Sequence, residues 1–67
     1  MVKVTFSASG FGSATYEYAD EESAWAAMRA DAREVADEHG GKVAEAGDEI
    51  VVARPSGDEI ARWELRK

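Results

Sequence analysis

The 67-residue chain has no cysteine, a single proline, a single histidine and no long apolar run. Without cysteine it has no disulfide, no thiolate nucleophile and no sulfur-ligated zinc, so side-chain packing has to supply its stability. No stretch approaches the roughly 20 apolar residues that span a bilayer, so we expect no membrane association. The first ten residues alternate like a strand and lack the apolar stretch of a signal peptide, so a natural protein of this kind is expected in the cytoplasm.

Basic residues are also few. Eight Lys and Arg stand against 14 Asp and Glu, which gives a net charge of −6. Nucleic-acid binding draws much of its affinity from Lys and Arg that displace counterions from phosphates. The charge has the wrong sign for that contact, so we expect no nucleic-acid partner.

The remaining composition is that of an ordinary globular protein, with 45% apolar and 33% charged residues. A chain of this size buries only about 60% of its extended surface, which leaves little core around a deep pocket. We predict one α+β domain over residues 1–67.

A β-hairpin and a helix are predicted in the first part of the chain. Residues 2–8 alternate between apolar and polar, and residues 13–18 do so again after Gly10-Phe11-Gly12, which predicts a hairpin. Asp20 is a helix N-cap candidate, and Gly40-Gly41 is a typical helix end. Between them, one apolar stripe recurs at helical spacing: Trp25, Met28, Ala32, Val35 and Ala36.

The second part of the chain is predicted to be extended. A weak strand pattern covers residues 42–46, and a strong, β-branched one covers residues 50–53. Residues 57–66 fit a strand with Ala61, Trp63 and Leu65 inward, but they also fit a helix that begins with a capping box at Ser56. We favour the strand, although it leaves Ile60 on the outer face without an explanation.

These elements predict a two-layer α+β sandwich of order ββαβββ. One helix packs on an antiparallel or mixed sheet of four to five strands, because helix and sheet each offer one apolar surface. Over roughly residues 1–54, this order resembles the β-grasp layout of small immunoglobulin-binding bacterial domains. The resemblance rests on element order alone, since no motif such as Thr15-Tyr16-Glu17 is specific enough to transfer binding residues.

No catalytic, cofactor-binding or metal-ligating residues are predicted. His39 precedes the glycine pair that ends the helix, and no second ligand or nucleophile accompanies it. Gly10-Phe11-Gly12 joins two strands, whereas a phosphate-binding loop needs a helix N-terminus behind it. Asp20-Glu21-Glu22 compensates the helix dipole. We therefore expect no enzymatic activity, no cofactor and no metal.

Two functions remain open from the sequence. Strand, helix and turn signals agree throughout, which is typical of a compact, stable scaffold without chemistry of its own, either computationally designed or natural. The alternative is a natural protein-interaction module that acts through a sheet edge or as a homodimer. Its candidate contacts are Phe11, whose ring either anchors a partner or folds back over the sheet, and the outward Ile60, with the weak strand 42–46 as the candidate edge.

Overall fold

The computed structural model describes residues 1–66 and has the predicted ββαβββ order. Its elements are β1 (Val2–Ala8), β2 (Gly12–Tyr18), α1 (Glu21–His39), β3 (Lys42–Ala46), β4 (Glu49–Ala53) and β5 (Glu59–Arg66). The strands form one antiparallel sheet in the order β2-β1-β5-β4-β3. Helix α1 contacts all five strands from one side of this sheet. The predicted two-layer α+β fold is confirmed.

The first hairpin turns through three residues that lie between Ala8 and Gly12, which pair with each other. Gly10 and Gly12 have φ angles of 79° and 100°, a region that glycine enters without steric cost. The Phe11 amide donates a 3.1 Å hydrogen bond to the Ala8 carbonyl and closes the turn. The turn therefore holds Phe11 at the tip of the hairpin.

Both predicted ends of the helix are confirmed. At its start, the Asp20 carboxylate accepts a 2.8 Å hydrogen bond from the Ser23 amide. Hydrogen bonds from Ser23 lower the pKa of Asp20 below its ordinary value. At its end, Gly40 adopts a left-handed conformation with φ of 66°, and its amide donates to the Ala36 carbonyl.

Helix α1 packs on the sheet mainly through small side chains. Its buried residues are Ala24, Met28, Ala32 and Ala36, and they meet a sheet surface that includes Val4, Ile50, Val52, Trp63 and Leu65. Short alanine side chains let the helix lie close to the strands. Trp25 and Val35 are only partly buried at the sides of this stripe, so the predicted placement of Trp25 in the core is only partly right.

The last element is a strand, so the helical alternative for residues 57–66 is wrong. β5 lies in the middle of the sheet between β1 and β4. The prediction that Ile60 faces outward is also wrong, because Ile60 is buried. Val52 pairs with Ala61 while Ala53 pairs with Glu59, so Ile60 is the extra residue of a β-bulge. A bulge sets two consecutive residues against one partner, and here it turns Ile60 as well as Ala61 into the core.

Candidate binding groove

The sheet is wider than the helix that covers it. Five strands about 4.8 Å apart span roughly 19 Å, whereas a helix with its side chains is about 10 to 12 Å wide. Helix α1 lies over the middle of the sheet, so the outer strands β2 and β3 extend beyond it on either side. The two sides of the helix are built differently.

On the β3 side, helical side chains reach across to the sheet. Arg29 donates two hydrogen bonds to the Glu45 carboxylate, at 3.1 Å from Nε and 3.3 Å from Nη2. The same guanidinium group lies 5.3 Å from the centre of the Trp25 ring, within the range of a cation–π contact. Arg29 therefore bridges α1 and β3, with the Trp25 ring next to its guanidinium group.

On the β2 side, the space between helix and sheet is open and forms a hollow of about 400 Å³. We call it the acidic groove. Its floor consists of the aromatic residues Phe6, Tyr16, Tyr18 and Trp63. Its wall on the helix consists of Val35 and the acidic residues Asp31, Glu34 and Glu38.

A second hollow of about 460 Å³, the tip hollow, adjoins the acidic groove and shares Phe6 and Val35 with it. It extends to Phe11 at the hairpin tip and to His39 at the end of α1, and Arg54 also lines it. The two hollows therefore form one trough along α1, acidic at one end and bearing Arg54 at the other.

Aromatic rings in contact with one another give the trough its apolar surface. The Phe6 ring centre lies 5.0 Å from that of Trp63 and 5.5 Å from that of Phe11. Phe11 thus packs on Phe6 while 64% of its surface remains exposed, and Tyr16 is 50% exposed. The sequence analysis treated an exposed Phe11 ring and a ring folded over the sheet as alternatives. In the structure the Phe11 ring is both exposed and in contact with the sheet.

The carboxylates of the acidic groove have no cationic partner within residues 1–66. Asp31, Glu34 and Glu38 follow one another at spacings of three and four residues, which places them along one side of α1. The ion pairs of the described chain involve other carboxylates. Within residues 1–66, no Lys or Arg lines the acidic groove or pairs with these carboxylates.

The opposite face of the sheet is polar, and ion pairs of Arg62 lie on it. Arg62 donates hydrogen bonds to Glu49 at 3.0 Å and to Glu59 at 2.7 Å. The hydrogen bond to Glu59 and the negative charges of both glutamates raise the pKa of Arg62 above its ordinary value. This face is typical of a solvated sheet surface, and we assign no site to it.

The structure brings the two predicted contact residues to the same place. Phe11 and Ile60 both line the tip hollow, with Phe11 exposed and Ile60 buried in its floor. The predicted edge strand, residues 42–46, is β3, which lies at the outer edge of the sheet with every residue exposed. The acidic groove was not predicted from the sequence, although the helical spacing of its acidic residues was a usable signal.

The described residues offer no compact metal-binding cluster. Among residues 1–66, no three His, Asp or Glu side chains come together in a group that could hold a metal ion. The same part of the chain contains no buried polar or charged residue. Residues 1–66 also contain no helix with an apolar stretch that could cross a membrane.

Comparisons of the chain with protein-family models, with curated proteins and with solved structures gave no match. The resemblance to the β-grasp layout therefore still rests on element order alone.

Proposed function

We propose that the protein is a non-enzymatic binding domain that holds a segment of another polypeptide in the trough between α1 and strands β1 and β2. The observation that carries this proposal is the difference between the two sides of the helix. On the β3 side Arg29 bridges α1 to Glu45, whereas on the β2 side an open groove has aromatic residues in its lining. Exposed apolar patches with a polar rim are typical of interaction sites.

The dimensions of the trough suit a short extended segment. Each hollow lies within the range of about 300 to 1,000 Å³ that is usual for ligand sites. The helix residues that line the trough run from Asp31 to His39, a distance of about 12 Å along the axis. About four residues of an extended peptide have this length.

His39 is exposed at the end of α1 and lines the tip hollow together with Arg54. Within residues 1–66, no group of three His, Asp or Glu side chains accompanies it that could hold a metal ion.

A second candidate is self-association through β3, which the position of that strand favours. β3 is an outer strand, and an unpaired strand edge can template another chain. A homodimer of this kind would leave the trough free. Sedimentation velocity over a range of concentrations tests it directly, since a concentration-independent monomer excludes it.

Selection from a random dodecapeptide library displayed on phage tests the trough. Val35 lines both hollows, so Val35→Trp places a large ring in the trough, whereas Val43→Trp makes the same exchange on the β3 side of the helix. We expect peptides selected on the unmodified protein to bind Val43→Trp equally and Val35→Trp at least about 10-fold more weakly, which corresponds to a loss of about 1.4 kcal/mol.

Circular dichroism has to show that both variants retain the fold. Two results would contradict the proposal: a library that yields no binding peptide, which would leave the inert scaffold as the better interpretation, or selected peptides that bind Val35→Trp as tightly as the unmodified protein.

A further inference from the structure

The charges of the trough restrict the peptides that it can take. We infer that the bound segment is basic, with a Lys or Arg side chain that lies on the aromatic floor of the acidic groove and ends beside the carboxylates of Asp31, Glu34 and Glu38. This inference rests on the proposed function and specifies its ligand.

The arrangement of the carboxylates is the first support. Asp31 and Glu34 are three residues apart, Glu34 and Glu38 are four apart, and like charges at these spacings repel one another on a helix. Among residues 1–66, no Lys or Arg lines the groove to relieve this repulsion. A cationic side chain in the groove supplies the missing opposite charge. A peptide with acidic residues adds to the repulsion, so the groove favours basic peptides over acidic ones.

The aromatic floor is the second support. Cations are attracted to the face of an aromatic ring within about 6 Å of its centre, and Lys and Arg also lay their methylene groups along apolar surface. The protein itself contains such a pair, since Arg29 lies 5.3 Å from the Trp25 ring centre. Tyr16, half exposed in the floor, offers a similar ring to a ligand.

The spread of the carboxylates favours an extended organic cation over a metal ion. Asp31 and Glu38 are seven positions apart, which corresponds to about 10 Å along the helix. A metal ion needs its oxygen ligands within about 2.0 to 2.6 Å. No metal-binding group of three such side chains occurs in the described chain. An extended peptide with one or two basic residues matches this spacing.

The tip hollow indicates what lies beside the basic residue. Its lining includes the exposed Phe11 ring and the buried Ile60, and it also includes the cation Arg54. A second basic residue at this end meets a like charge, whereas an apolar residue meets apolar surface. We therefore expect the segment to have a basic residue followed or preceded by an apolar one.

Three synthetic hexapeptides, acetylated and amidated, test the charge preference. One contains two lysines, each beside a leucine, in an otherwise glycine and serine sequence, and the others carry glutamine or glutamate in place of lysine. Titrations followed by ¹⁵N–¹H NMR give the affinity and the residues whose amides shift. We expect the lysine peptide to shift groove residues and to bind at least 10-fold more tightly than the glutamine peptide, with no detectable binding of the glutamate peptide.

A matched pair of double variants separates the groove from the overall negative charge. The Glu34→Gln/Glu38→Gln variant removes two charges from the groove, and the Glu17→Gln/Glu22→Gln variant removes two charges outside it. We expect the groove variant to bind the lysine peptide about 10-fold more weakly. We expect the control variant to change the affinity for this peptide less than about twofold. Equal effects would overturn the inference, because they would show a general attraction to an acidic protein.

The outcomes also distinguish this inference from the proposed function. If glutamine peptides, or library peptides without basic residues, bind the groove as tightly as the lysine peptide, the inference is wrong and the binding function stands. If no hexapeptide binds and the library yields nothing, both are wrong.

Discussion

Replacement of Trp63 by alanine is the sharpest test of the core. Trp63 lies on the central strand β5 with 3% of its surface exposed. It pairs with Phe6 on one side and with Ile50 on the other, and its ring lies 5.0 Å from that of Phe6. Loss of the indole ring therefore leaves a cavity between helix and sheet that its neighbours can fill only in part.

The size of the effect follows from the buried area. A tryptophan buries roughly 200 Å², which at about 25 cal/mol per Å² corresponds to about 5 kcal/mol, and measured Trp-to-Ala losses in cores are about 3 to 5 kcal/mol. A chain of 67 residues has a total stability of about 3 to 10 kcal/mol. We expect Trp63→Ala to remove a third of this stability or more, and Trp63→Phe to remove less.

Urea unfolding followed by far-UV circular dichroism measures the loss. With a slope of about 1 kcal/mol per molar urea, the midpoint of Trp63→Ala falls by about 3 M or more. Trp25→Ala is the internal control, because Trp25 is only partly buried and contacts Arg29 at the side of the helix. We expect it to cost about 1 to 2 kcal/mol. Equal losses for the two variants, or a loss below about 1 kcal/mol for Trp63→Ala, would refute the assignment of the core.

Three further substitutions test local features by thermal or chemical unfolding. Ile60→Ala should cost about 2 to 4 kcal/mol if the bulge buries this residue, and almost nothing if it faces outward. Gly41→Ala should cost about 1 to 3 kcal/mol, because its Cβ would lie 3.0 Å from the Ala53 carbonyl oxygen; an unchanged melting temperature would contradict this close approach. Asp20→Asn keeps the cap but removes its titration. Because the folded-state pKa of Asp20 is lowered, the stability advantage of aspartate is present above pH 3.8 and should shrink as the pH falls below it, and a pH-independent difference would contradict the cap assignment.

The groove and the core share aromatic residues in this small protein. Trp63 and Phe6 belong to the packed interior, yet both also form the floor of the acidic groove. A ligand in the groove therefore contacts side chains that the helix and sheet already hold in place. Such a rigid floor lowers the entropic cost of binding, which favours recognition by a small domain.

The hairpin, the helix ends and strand β4 were predictable from the sequence because local rules decide them. Glycine is required where φ is positive, as at Gly40, and an acidic cap at Asp20 satisfies the free amides of the first helical turn. The strand over residues 50–53 was predictable from their β-branched side chains, and in the structure β4 is an inner strand.

Ile60 and Trp25 were misplaced because their burial depends on neighbours that are distant in sequence. A strict alternation turns Ile60 outward, and only its pairing with β4 introduces the bulge that turns it inward. Trp25 fits the apolar stripe by its spacing, but the buried stripe runs through Ala24, Met28, Ala32 and Ala36, and Trp25 is only partly buried beside it.

Local sequence signals were sufficient to predict the order of elements and the ends of the helix, because these depend on residues a few positions apart. The packing of α1 on the sheet, by contrast, leaves one side of the helix bridged to β3 by Arg29 and the other side open. That asymmetry depends on where a helix about 10 to 12 Å wide settles on a sheet about 19 Å wide, and on which long side chains then reach the outer strands. Arg29 meets Glu45 on one side, and on the other the carboxylates of the helix stand above aromatic rings without a partner in the described chain.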